Sequence, residues 1–460
     1  MNLPSCIELA DPSAATAIIA VRSAALAETL AALDPRTRAW AQASGFSAKP
    51  DTWLAVPGDE GNIALVLAGI EDAGDPRALS ALPQALPEGR YCLHPALGES
   101  IAPADALFGW GAGAYRFSRY RKPPRAPAVL VLAPDASLAE AAALLEATAR
   151  VRDLVNTPTQ DMGPAELENE VRALAQHHGA SLRTIAGDDL LRENFPAIHA
   201  VGRASHRPPR LIELTWGDTA HPALAVVGKG VCFDTGGLDI KPSAGMRNMK
   251  KDMGGGAHAI ALAGLIMECR LPVRLRLLVP AVENAVGPDA YRPGEVVTTR
   301  KGIRVEIDNT DAEGRMVLCD ALAFAAESSP DLILDFATLT GAARVALGPD
   351  LPALFCNDDD MAAQWLDAGV AQRDPVWRMP LWRPYLRYLK SHVADIANAG
   401  SRMAGAVTAA LYLEKFIPDG QRWAHLDVYA WNDTDRPGRP RGGEAMALRS
   451  VWAMLKARYG

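Results

Sequence analysis

A chain of 460 residues is longer than one usual hydrophobic core, so two domains are expected. Hydrophobic residues at 49%, charged residues at 22% and a net charge of −7 exclude long disorder and give no reason to expect nucleic acid or an anionic membrane as partner. Six cysteines without a C-x-x-C pair, no basic-then-apolar leader and no apolar run of roughly 20 residues predict reduced thiols in a cytoplasmic protein with no membrane span.

In chain order, "SAATAIIAVRSAALAETLAAL" (residues 13–33) reads as a helix. "ALVLAG" (64–69) and "APAVLVLAP" (126–134) read as buried strands, and "SLAEAAALLEATARVRDLV" (137–155) as a helix with Ser137 as N-cap. The boundary is placed near residue 150. It separates a smaller N-terminal α/β domain (1–149) from a larger domain (150–460). The second part opens with an amphipathic helix from about Pro164. "LIELTW" (211–216), "ALAVVGKG" (223–230), "LRLLVPAVENA" (275–285), "GIRVEI" (302–307) and "DLILDFATLTGA" (331–342) then carry strands. Strands alternating with helices give an α/β class, with a central mixed twisted sheet flanked by helices in the larger domain. Ligands of such sheets bind beyond the carboxyl ends of strands, where "VVGKG" and "DFATLTG" lie. The basic clusters "RYRKPPR" (119–125) and "RPGRPR" (436–441) are broken by proline and read as surface loops.

Between the strand "GIRVEI" and the apolar helix "MVLCDALAFAAE" lies "DNTDAEGR" (308–315). An extended chain there would turn Asp311, Glu313 and Arg315 to one side. Read alone, the stretch is a solvated loop whose arginine pairs with its own acids, so it needs partners. The segment 223–253 offers them: Lys229 between two glycines, then Asp234, Lys241 and Asp252. Its glycines match neither G-x-x-x-x-G-K-[ST] nor G-x-G-x-x-G at a helix start, which leaves nucleotide binding weakly supported. Grouped, Asp234, Asp252, Asp311 and Glu313 would repel and raise one another's pKa. Two divalent cations roughly 3.5–4 Å apart would relieve that and bring hydrolytic chemistry. One lysine beside them could act as a neutral amine and another could stabilise an oxyanion. H-E-x-x-H is absent, and His258 and His425 read as packed or hydrogen-bonded rather than as ligands.

"NTDAEGRM" (309–316) with "VGKGVCFDTGGLDIKPSAGMRNMKKDMGG" (227–255) resembles the leucyl aminopeptidase family, the M17 cytosol aminopeptidases. The likeness continues through "PAVENAVGPDAYRPGEVV", "DFATLTGAARVALG" and "WAHLDVYAW". It covers residues 150–460, while the first 150 match loosely, at "FGWGAGAYRFSRY". The resemblance implies two divalent ions per subunit, Zn²⁺ or Mn²⁺, bridged by Asp234 and Glu313. Asp311 would complete the more exchangeable site, and Lys229 with Asp252 the tighter one. Lys241 would hold the oxyanion and Arg315 a bicarbonate ion acting as general base. Met249, Thr338, Leu339 and Gly341 would line the pocket for the first side chain, favouring Leu or another apolar residue. The family's members imply a homohexamer that acts on short peptides, with the N-terminal domain serving packing. A dipeptidase-like preference stays open. So does a DNA-binding regulatory role known among relatives, although the acidic balance of the chain argues against nucleic acid.

Overall fold

The computed structural model describes residues 3–460, which divide into two compact units. One holds the described residues up to Ala149 together with Asp433–Arg441. The other holds Arg150–Asn432 and Gly442–Gly460.

The smaller unit is built on six strands: β1 (Ile7–Leu9), β2 (Thr16–Val21), β3 (Trp53–Pro57), β4 (Ile63–Gly69), β5 (Arg90–Leu93) and β6 (Val129–Leu132). They run in the order β1-β6-β5-β2-β4-β3, parallel except where β3 meets β4. The expected helix over residues 13–33 is corrected here. Thr16–Val21 is a central strand, and only Leu26–Ala31 is α-helical. Ile18, Ile19, Ala20 and Val21 are buried between two parallel neighbours, where β-branched side chains pack well and a run of apolar residues carries no alternation. The helix expected from Ser137 begins at Leu138 and runs to Asn156.

The larger unit carries β7 (Ser181–Ala186), β8 (Arg210–Trp216), β9 (Ala223–Gly228), β10 (Gly230–Asp234), β11 (Arg274–Asn284), β12 (Val296–Thr298), β13 (Arg304–Glu306), β14 (Leu332–Ala337), β15 (Ala353–Cys356), β16 (Trp377–Arg378), β17 (Ile396–Ala397) and β18 (Trp423–Asp427). Its mixed sheet has the order β16-β15-β18-β14-β9-β11-β8-β7, with β10 also on β11. The long strand β11 pairs first with β9 (Arg274↔Ala223 to Leu278↔Val227) and then with β10 (Ala281↔Gly230 and Val282↔Val231). β9 and β10 are thus one strand path interrupted at Lys229, whose backbone N–H donates to Phe336 of β14 at 2.9 Å. The interruption lets one path present Lys229 at its break and Asp234 at its end.

Two helices fix the site against this sheet. Gly254–Glu268 is apolar all round and buried almost throughout, as a helix packed between layers must be. A Cβ on Gly255 would stand 2.1 Å from the Phe336 carbonyl, so glycine is what allows this helix to lie so close to β14. The second helix, Glu313–Ala326, begins three residues earlier than "MVLCDALAFAAE" suggested. The extended-chain argument for Asp311, Glu313 and Arg315 is therefore replaced: Glu313 and Arg315 occupy a helical first turn, and only Asp311 precedes it. Among the described residues no helix is long and apolar enough to cross a membrane.

Candidate metal centre

The carboxyl ends of the central strands supply one cluster. Lys229 sits at the β9–β10 break, Asp234 ends β10, and Thr338 follows β14 directly. Asp252 lies in the 3-10 turn Met249–Met253 that leads into Gly254–Glu268. Lys241 follows the turn at Gly236 and Gly237, and Asp311 and Glu313 enter from the start of the helix at Glu313. Hydrogen bonds hold these pieces in place. The Asp234 Oδ1 accepts from Gly236 N and Asn284 Nδ2, both at 2.8 Å. Thr338 Oγ1 donates within 2.8 Å of both the Asp252 carbonyl and its Oδ1. The Thr310 hydroxyl ties the Gly236 carbonyl to Asp239, steadying the loop that carries Asp311.

Each lysine bridges two acids. Lys229 Nζ lies 2.7 Å from Asp252 Oδ2 and 2.8 Å from Glu313 Oε1, and donates to the Thr338 carbonyl at 2.9 Å. Lys241 Nζ lies 2.7 Å from Asp234 Oδ2 and 2.5 Å from Asp311 Oδ1. Two ammonium groups face four carboxyl groups, leaving negative charge in excess. Burial, then the neighbouring Asp234, pushes the Glu313 carboxyl well above its usual range. The same two causes, opposed by Lys241, push Asp311 up to about 6. Burial works against the ammonium form of Lys229 and Lys241, but the acids outweigh it and both amines are raised. Asp252 is held low: burial disfavours its charge, and Lys229 and Lys251 more than offset that.

The donor set fits a hard divalent cation. Asp234, Asp252 and Glu313 each offer an oxygen, all within 4.8 Å of one another and all buried. Glu313 Oε2 is buried with no hydrogen-bond partner. A cluster in which Glu313 and Asp311 favour the protonated form, with one carboxylate oxygen unmet, is one in which cations can replace protons. Among the described residues His177, His178 and Glu268 form a second, largely exposed group of possible ligands elsewhere.

A cleft of about 330 Å³ opens on the cluster. It is lined by Lys229, Asp234, Lys241, Asp252, Asp311 and Glu313, and by all four residues expected for the side-chain pocket, Met249, Thr338, Leu339 and Gly341. Arg315 is not among its lining residues. Its Nη1 donates to the Asn398 carbonyl at 2.6 Å, its guanidinium carbon stands 5.9 Å from the Tyr412 ring centre, and its Nε is buried without a hydrogen-bond partner. His258 and His425 are packed: His258 accepts from Met446 N at 2.9 Å, and His425 pairs with Asp335 at 2.6 Å.

Several lining residues escaped the sequence reading. Asp427, at the end of β18, accepts from Leu339 N and from the Thr340 hydroxyl and so shapes the strand end beside the pocket. Its place at a strand terminus was a usable signal. Lys251, Arg344, Tyr429 and Met446 had none, since a single charge or aromatic looks the same on a solvated face. Burial pushes the Lys251 amine down to about 8, against the nearby Asp252.

Family models match both parts of the chain: the catalytic domain of the cytosol aminopeptidase family over residues 149–452, and the M17 aminopeptidase N-terminal domain over residues 17–133. A probable cytosol aminopeptidase of Syntrophotalea carbinolica is 41% identical over 360 residues, 74% of this chain and 72% of that protein. One from Roseiflexus castenholzii is 39% identical over 362 residues, 75% and 74% of the two chains. The crystal structure of cytosol aminopeptidase from Coxiella burnetii superposes with a TM-score of 0.96 at 49% identity, over 99% of this chain and 100% of that one. The bottromycin maturation enzyme BotP in complex with Mn gives 0.87 at 34% identity, over 97% and 100%.

Proposed function

The chain belongs to the cytosol aminopeptidase family, and from that premise we propose that it releases the N-terminal residue of short peptides in the cytoplasm with the help of two divalent cations, Zn²⁺ or Mn²⁺. The observation that carries this reading is the charge-unbalanced group lining a cleft, with Asp234, Asp252 and Glu313 buried and Asp311 half-buried beside them. Asp234 and Glu313 would be shared by the two ions, Asp311 would complete the more exchangeable site, and Lys229 with Asp252 the tighter one. Bound there, the ions would supply Lewis-acid activation of water and of the peptide carbonyl.

The protein's own groups do the remaining work. Lys229 can serve as an amine ligand only after losing its proton, and the Thr338 carbonyl that it now donates to keeps its Nζ aimed between Asp252 and Glu313. Lys241, about four-fifths buried on a less enclosed wall, is placed to donate to a developing oxyanion. Arg315 would hold bicarbonate for proton transfer, a fork-shaped guanidinium suiting that anion and its Nε lacking any other partner. Met249 and Leu339 give the first side chain an apolar wall, which favours Leu by about 1–3 kcal/mol per methylene over smaller residues.

The test is hydrolysis of leucine p-nitroanilide and of Leu-Gly before and after treatment with a chelator. Activity is expected to vanish on chelation and to return with Mn²⁺ or Zn²⁺. A protein that stays inactive with every divalent metal, while still folded, would defeat the reading.

A further inference from the structure

Two further cations line the cleft. Lys251 follows Met249 and Lys250 in the 3-10 turn and is only 7% exposed, yet it lines the cleft. Its Nζ stands 5.0 Å from the centre of the Tyr429 ring. Arg344, on the short helix Gly341–Leu347, lines the same cleft and places its guanidinium carbon 4.9 Å from the same ring centre. Among the described residues neither cation forms an ion pair or a hydrogen bond; the tyrosine ring is the partner of both. The two charges therefore fall within a Debye length of roughly 10 Å of each other with no counter-charge joined to either.

Burying an ammonium without a hydrogen-bonding partner is costly, and a second cation on the same ring adds repulsion. A ring quadrupole offsets only part of that. The same cleft is lined by Asp234, Asp252, Asp311, Glu313 and Asp427, so opposite signs face a single small space. A ligand that satisfies both signs bears a cation, or an amine that can bind metal, at one end and a carboxylate at the other. A short peptide is such a ligand.

Resting on the aminopeptidase reading, we propose that Lys251 and Arg344, gathered around Tyr429, form an anion subsite that binds a carboxylate of the substrate. Two sources share this chemistry. The C-terminal carboxylate of a dipeptide or tripeptide would make the subsite a selector for short peptides. An acidic side chain on the N-terminal residue would make it a selector for Asp or Glu at that position. Either way Lys251 and Arg344 determine specificity by contact with substrate, and neither takes part in bond breaking.

The experiment compares paired substrates within each enzyme. The ratio of kcat/KM for Leu-Gly over Leu-Gly-amide reads the C-terminal carboxylate. The ratio for glutamate p-nitroanilide over glutamine p-nitroanilide reads the side chain. Taking the ratio inside one enzyme cancels any general loss caused by a substitution beside Asp252. In Arg344→Gln and Lys251→Met at least one ratio is expected to fall about tenfold from its wild-type value, corresponding to about 1.4 kcal/mol. The ratio that falls identifies the source. Both ratios unchanged in both variants would overturn the subsite. Leucine p-nitroanilide, which carries no carboxylate, is run alongside, so its failure with the wild-type enzyme defeats the aminopeptidase reading separately. Calorimetric titration with whichever pair shows the fallen ratio then reads the subsite directly: a wild-type preference for the free acid over its amide that disappears in the variants supports it, and equal affinities within that pair overturn it.

Discussion

Gly314 carries no functional group, yet a Cβ there would stand 2.7 Å from both Cε and Nζ of Lys229. The neighbouring Glu313 meets that same Nζ at 2.8 Å, so the glycine is the gap into which the amine fits. Gly314→Ala is expected to displace the amine from Asp252 and Glu313 and to lower kcat/KM for leucine p-nitroanilide by about 100-fold, the scale on which a 1 Å misplacement acts. Because Lys229 ends in a flexible stem, the fold should survive, which circular dichroism checks. A folded variant within threefold of wild type would show that the gap does not matter. The sequence exposed the acids and lysines of this site because their chemistry is scarce in apolar surroundings. Gly314 stayed silent because a missing methyl group has meaning only beside the atom that uses its space. Lys251 and Arg344 were hidden for a related reason: a charge held against an aromatic ring rather than an acid is visible only once the structure brings the two together.

Elements were legible where one period dominated. The alternation around residues 211–216 and the apolar runs at 223–228 and 332–337 gave strands where the structure has them. Residues 13–33 failed because a fully buried parallel strand and a short helix follow each other without a turn residue between them. The start of Glu313–Ala326 was missed because its first turn carries the charged Glu313 and Arg315. Asp320 in that helix shows what periodicity cannot reveal. It is fully buried and accepts from Ala197 N and Arg300 N, both at 2.8 Å, and from Ile198 N at 3.4 Å. One carboxyl thus satisfies the first turn of the helix Pro196–Gly202 and the loop before β13. Asp320→Ala leaves those donors buried and unmet and should cost about 3 kcal/mol in urea unfolding, since each such group costs roughly 1–3 kcal/mol. A loss below 1 kcal/mol would contradict that role. Burial pushes the Asp320 carboxyl up to about 7, against its three amide donors. Its folded pKa then exceeds the unfolded value of 3.8, so between those limits the folded state binds more protons. This group's contribution must therefore weaken as pH rises from 4 to 7. Asp320→Asn should flatten that part of the stability curve relative to wild type, and an unaltered slope would place the titration elsewhere.

At the scale of the whole molecule, the catalytic unit carries apolar surface that a solitary chain does not need. Within residues 377–403 the side chains of Trp377 (57% exposed), Trp382 (55%), Val393 (67%) and Met403 (73%) face outward. Single exposed apolar residues are ordinary, but four large ones within one short stretch mark a surface suited to burial against another protein. Tryptophan and methionine are also the side chains that interfaces concentrate at their centres. We propose that this stretch packs against further copies of the same chain in a closed symmetric assembly, and that the assembly is a hexamer. Closure is required because an open, head-to-tail use of the same surface would yield filaments. Light scattering on the purified protein is expected to give six times the chain mass of 49.0 kDa. Trp382→Lys combined with Val393→Glu should shift that mass to a smaller species while leaving the circular dichroism spectrum unchanged, since both side chains lie outside the core. A wild-type mass equal to one chain would defeat the assembly. A wild-type hexamer that the double variant leaves intact would keep the assembly and move its interface away from residues 377–403.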